Sequence, residues 1–119
     1  MFRLSTTQLI TVFLTRLTAH KIESAWHSFI QLPNAHCFAT YDIPESDFGG
    51  ADLMVTERLD TVKLFLFYKG GKTADDFTLE TELEGDLRPA AEYTKISGFD
   101  SDNGLFYSCY QFRTREIEV

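Results

Sequence analysis

The chain is poor in the features that usually betray a function. It holds two cysteines in 119 residues, and Cys37 and Cys109 lie far apart, each inside an apolar, strand-like stretch. The expectation is reduced, buried thiols in a reducing compartment rather than a disulfide framework. No apolar run approaches the length needed to span a bilayer. Leu9 to Leu14, following Arg3, imitates a signal peptide, but the run is short, contains Thr11, is followed at once by Arg16 and lacks a small-x-small cleavage site. Cytoplasmic is the resulting expectation. Basic residues are also scarce: 11 Lys and Arg face 18 Asp and Glu, a net charge of −7. Such a field repels phosphate backbones and anionic lipid, which argues against direct nucleic-acid or membrane-surface binding and favours a basic partner.

Signature motifs are missing as well. There is no phosphate loop, GxGxxG, GxSxG, HExxH or paired CxxC, so no cofactor, metal or catalytic residue is assigned. His20, His27, His36 and Cys37 supply ligand types suited to zinc, but their spacing fits no standard site. Cys109 has nothing near it in sequence to draw off its proton, so a packed sheet position is the better reading than a nucleophile. Asp100, Asp102 and Gly104 faintly suggest a calcium loop, but the glycine falls one position early and Gln111 stands where a bidentate acid belongs. The segment reads instead as a hairpin turn, for which Asn103-Gly104 is well suited.

What the chain does have is apolar and aromatic mass: 44% apolar residues, with 11 Phe, 5 Tyr and 1 Trp. That suffices for one α+β domain over residues 1–119 with a real core. Its densest stretch is Thr61 to Lys69, TVKLFLFYK. Read as a strand, it places Val62, Leu64, Leu66 and Tyr68 on one face and Lys63, Phe65, Phe67 and Lys69 on the other. Both faces are apolar at mid-strand, which predicts a central strand with neighbours on both sides and cover over part of each face.

Around it the chain reads in order. Ser5 and Gln8 fit a capping box, and Leu9, Phe13 and Leu17 form a helical stripe that breaks near Thr18 to His20. Ile22, Ala25, Trp26, Phe29 and Ile30 predict a second helix ended by Pro33. His36 to Ile43 reads as a strand, residues 44–52 as an acidic loop, and Leu53 to Arg58 as a short strand before the central one. Phe77 to Leu83 alternates apolar and polar residues and reads as a half-wet strand. Tyr93, Thr94 and Ile96 favour a strand over 90–97, with a short helix as the rival. The last strand runs from Leu105 to about Ile117. The predicted fold class is therefore α+β: two N-terminal helices packed on a five- or six-stranded, mainly antiparallel sheet in two layers.

Charge patterning gives the functional expectation. Arg3, Arg16 and Lys21 against Glu23 leave the first 36 residues at +2, so the rest carry −9 of the total −7. Acids concentrate at 42–60 and at 75–86, where Asp75, Asp76, Glu80, Glu82, Glu84 and Asp86 follow one another with no base among them. Uncompensated charge of this kind suits a small, acidic, non-enzymatic binding protein of the inhibitor or immunity type, masking a basic toxin or nuclease. Asp47, Asp52, Asp75, Asp76, Glu80, Glu82 and Glu84 would steer that partner, and Phe48 would anchor it. One rival is a small-molecule pocket lined by Trp26, His36, Tyr41, Asp42, Tyr68 and Tyr107. Another is a subunit of a larger assembly, with a homodimer through the last strand, since a terminal strand is often an edge.

Overall fold

Ser5 begins the first helix as a capping box. Its hydroxyl accepts from the Gln8 N–H at 3.2 Å and the Gln8 side chain accepts from the Ser5 N–H at 3.0 Å. The computed structural model describes residues 4–49, 56–89 and 92–118, and of these all side chains but those of 48, 49, 56, 57, 117 and 118. The elements are α1 (Thr6–Ala19), β1 (Glu23–Trp26), β2 (Cys37–Gly49), β3 (Thr56–Lys69), α2 (Ala74–Leu87), β4 (Tyr93–Asp100) and β5 (Leu105–Glu118). One five-stranded sheet runs in the order β1-β2-β3-β5-β4. The β1–β2 pair is parallel and the other three are antiparallel, so the sheet is mixed. Both helices lie on one face, where Leu9, Phe13 and Leu17 of α1 and Leu79, Leu83 and Leu87 of α2 close over Val62, Leu64, Leu66, Tyr68, Tyr110 and Phe112.

The α+β reading holds, but the placement of two N-terminal helices does not. The first helix ends where its pattern breaks, by a Schellman motif: the Lys21 N–H donates to Thr18 O at 3.0 Å and the Ile22 N–H to Leu17 O at 2.9 Å. Lys21 takes the left-handed φ of 58° that glycine normally supplies, so no residue type announced the stop. Ile22 is thereby turned against the core, and residues 23–26 pair with the edge of β2 instead of coiling. The apolar spacing from Ile22 to Ile30 is not a helix face, since Trp26 and Ile30 are both exposed.

The second helix is α2, and it replaces the strand predicted at 77–83. Thr73 and Asp76 make a capping box in which the Thr73 N–H donates to Asp76 Oδ2 at 2.7 Å, and Asp75 and Asp76 sit in the first turn, where the helix dipole favours negative charge. Leu79, Leu83 and Leu87 recur every fourth residue and are buried, whereas Phe77 and Thr81, which completed the alternation, face outward. Gly70 and Gly71, at φ of 75° and 100°, make the turn from β3 that delivers the chain to the cap.

Two further boundaries move. Residues 44–49 are not loop: β2 runs on to Gly49, passing Pro44 at a register irregularity between Asp42 and Glu45 that accommodates a residue without an N–H. Of the short strand predicted over Leu53 to Arg58, residues 53–55 lie outside the described residues, and 56–58 are continuous with the central strand in β3, with Asp60 buried inside it rather than turning. Asp60 is tolerated because Thr6, Ser46 and Arg58 all donate to its carboxylate. Burial pushes that group up, and these hydrogen bonds outweigh it and leave it below its ordinary value. The central position of β3, its inward face and β5 are as read from sequence, and the strand expected over 90–97 is β4 but runs from Tyr93 to Asp100, with 90 and 91 outside the described residues.

Candidate functional site

The acids of α2 are not bare. Arg16 of α1 forks onto Asp86, with Nε to Oδ2 at 2.7 Å and Nη2 to Oδ1 at 2.9 Å, and also donates to Glu82 at 2.9 Å. His20 Nε2 lies 2.8 Å from the same Glu82 oxygen. Glu80 points down onto the sheet and accepts from Tyr68, from Ser108 at 2.7 Å, from Lys95 at 2.9 Å and from Lys72 at 3.0 Å. Glu84 accepts from both Lys95 and Tyr110 at 2.8 Å. Asp76 is held by its cap and by His36. Burial pushes the Glu80 carboxyl up, but its four donors outweigh it and hold the pKa at about 2. The same burial and the neighbouring carboxylates push both tyrosine hydroxyls far up, so each stays a donor.

The bases that answer this run come from α1, from the β3–α2 turn and from β4, which is why none shows in the local sequence. Asp75 remains exposed in the first turn of α2. Asp47 is exposed on β2, with its carboxylate 3.9 Å from Arg113. The Phe48 side chain and Asp52 lie outside the described residues.

The residues proposed to line a pocket do not converge. Tyr68 faces the helices, Tyr107 faces the opposite side, and Trp26 stands edge-on to Tyr41 at 5.4 Å near the β1 edge. Asp42 instead meets His27 at 2.9 Å. A cleft of about 280 Å³ opens beside His20, Cys37, Asp75 and Asp76, just under the ~300–1,000 Å³ of most ligand sites. Burial pushes the Cys37 thiol up to about 12, so it presents no thiolate there. Burial raises Cys109 too. Among the described residues no group of three or more His, Cys, Asp or Glu is placed to hold a metal ion, and no helix is long and apolar enough to cross a membrane.

The side of the sheet turned away from the helices carries the feature that distinguishes this molecule. Alternation puts Phe38 of β2, Phe65 and Phe67 of β3, Tyr107 and Cys109 of β5 and Ile96 of β4 on that side. Their rings form a continuous row. Phe38 stacks on Phe67 and Phe67 on Phe65, each at 5.5 Å, and Tyr107 meets Phe65 at 5.9 Å and Phe67 at 6.3 Å. The chain between β1 and β2 lays Phe29 over Phe38 at 5.5 Å, and Lys69 ties that segment down through Pro33 O at 2.7 Å. Phe65, Phe67 and Tyr107 are left half-buried, covered by one another, and Ile96 is 47% exposed. Lys63 and Arg113 flank the row on the same face, Arg113 donating to Thr61 at 2.9 Å.

Phe65 and Phe67 oppose Leu64 and Leu66 as alternation predicts, and the cover expected over part of each face is met on this side by Phe29 over Phe38 but does not extend to Phe65 and Phe67. Among the described residues α1 and α2 both pack on the Leu and Val face, so no helix is left for the aromatic one, which has only the segment carrying Phe29 over it. Compared with models of known protein families the chain matches none, and comparison with curated proteins finds no significant sequence relative.

Proposed function

We propose that the chain is a small non-enzymatic binding protein of the inhibitor or immunity type that masks a basic protein partner, with the open aromatic face of the sheet as its contact surface. The observation that carries this reading is the half-buried row of Phe67, Phe65 and Tyr107 on a side that neither helix covers, next to Phe38, which Phe29 buries. Aromatic residues clustered at the centre of a flat surface, with polar groups around them, are the composition of protein–protein hot spots. The molecule extends about 50 × 28 × 22 Å, so its broad face exceeds the ~800 Å² per partner of a standard interface.

Charge enters at a distance rather than at the contact. The net −7 persists whatever its carboxylates pair with inside the fold, and it attracts a basic protein within a Debye length, about 8 Å at physiological salt. Among the described residues Asp47 and Asp75 are the members of the acidic set whose side chains stand in solvent. The rim of the face itself carries Lys63 and Arg113, so this reading rests on the aromatic contact and not on a carboxylate cluster.

The test is a capture from lysate of the source organism with the wild-type chain and a Phe65→Ser, Phe67→Ser variant side by side. One basic protein recovered in stoichiometric amount by the wild type, weakened by salt and lost by about tenfold or more in the variant, is the expected result. Recovery that is equal for both chains, with the variant folded by circular dichroism, rules out the aromatic face.

A further inference from the structure

The sheet has two edges, and they differ. β1 is four residues long and continues into the segment fastened by Phe29 and Lys69. β4 runs for eight residues, Tyr93 to Asp100, in unbroken register with β5, and among the described residues no strand lies beyond it in the strand order. Proteins guard such edges with prolines, bulges, short length or outward-pointing charge. β4 has no proline and no bulge. Its one lysine, Lys95, folds back over the sheet to Glu80 and Glu84 at 2.9 and 2.8 Å and so leaves the edge unguarded. Apolar side chains stand exposed on both sides of it: Ile96 on the open side, 47% exposed, and Phe99 on the helix side, 53% exposed.

We propose that β4 is a dimerisation edge that pairs antiparallel with β4 of a second copy about a two-fold axis at Ile96. The strand fits itself. In that register Ile96 lies opposite its own counterpart on the open side, and Tyr93 lies opposite Phe99 of the second copy on the helix side. Both couples share a face, as antiparallel pairing requires. Lys95 and Asp100 are the charged residues of β4, so the strand itself adds no net charge to the contact. The like-charge couples of Asp100 with Glu92 of the second copy fall at the two exposed ends, where solvent and salt screen them. The two-fold makes the contact isologous and satisfies both edges at once. It also joins the two open faces into one ten-stranded surface, with the aromatic rows side by side. This pairing stands whether or not the open face binds an outside partner.

Light scattering on the purified chain over a wide concentration range is the experiment, with Ile96→Lys and Ile96→Cys as variants. The wild type is expected at twice 13.6 kDa. Ile96→Lys sets two ammonium groups directly opposite each other and is expected to weaken the dimer by about tenfold or more, with an unchanged far-ultraviolet spectrum because the side chain is exposed. Ile96→Cys, made in a Cys109→Ala background because Cys109 stands directly opposite residue 96 on β5, is expected to give a disulfide-linked dimer on mild oxidation that the Cys109→Ala chain alone does not give. A wild type that stays monomeric overturns the proposal. So does a dimer that survives Ile96→Lys, or one in which Ile96→Cys fails to cross-link.

Discussion

Glu80 is 3% exposed and remains charged, because its two oxygens accept four hydrogen bonds, two of them from ammonium groups. An unfolded glutamate titrates near ~4.3, and this one is held at about 2. Between those values the unfolded state binds more protons, so stability rises with pH there. The contribution is complete above the unfolded value and is lost as pH falls toward 2. The span corresponds to about 3 kcal/mol. Glu80→Gln is expected to cost ~2–4 kcal/mol at pH 7, less than a fully buried pair because Lys72 and Lys95 keep some solvent. It should also flatten the loss of stability between pH 4.5 and 2. Urea unfolding of both chains at neutral and acid pH measures both effects. At Gly98 the constraint is steric. A Cβ there would stand 2.4 Å from the Tyr107 hydroxyl and 2.6 Å from its ring, which lies across the glycine from the neighbouring strand. Gly98→Val is expected to displace that ring at a cost of ~1–2 kcal/mol. Thermal melts in a Tyr107→Ala background, where most of the penalty should vanish, check the cause.

Among the elements, α2 shows most clearly how one sequence supports two patterns. Phe77, Leu79, Thr81 and Leu83 alternate as a strand would, and Leu79, Leu83 and Leu87 recur as a helix does. The tie is broken outside the window, by the Thr73–Asp76 cap and by Leu87. The hydroxyls of Thr78 and Thr81 bond back to the carbonyls four residues earlier, which satisfies them within the helix without strengthening it. Thr11, Thr15 and Thr18 do the same in α1. Because α2 leans on its cap, Thr73→Ala is expected to destabilise the protein by about 1 kcal/mol, read as a lower urea midpoint with unchanged slope. The missed β1 has the opposite origin. Its four residues carry no strand signal of their own and depend on the β2 edge for their hydrogen bonds, which the Schellman turn at Lys21 makes reachable.

At the scale of the whole molecule, the sequence by itself determined the periodic parts: α1 with its capping box, the inward face of β3, the Asp100 to Gly104 turn and the long final strand. These follow from backbone geometry over a few neighbouring residues, and local sequence contains all of it. It also determined the net charge of −7, but not which charges face water. Arg16 lies 70 residues from Asp86, and Lys95 lies 15 from Glu80. Only the tertiary structure brought them together, and in doing so it turned an apparently bare acidic run into the polar seam between α1, α2 and the sheet. The same holds for the edges and the open face. The last strand in sequence, β5, is interior in space, and the exposed edge is β4, because the chain places β5 between β3 and β4. Strand order sets which backbone is left unpaired. The way two helices share one side of the sheet sets which aromatic row is left uncovered. Both depend on contacts between distant segments, whose free energies no local window of the sequence contains.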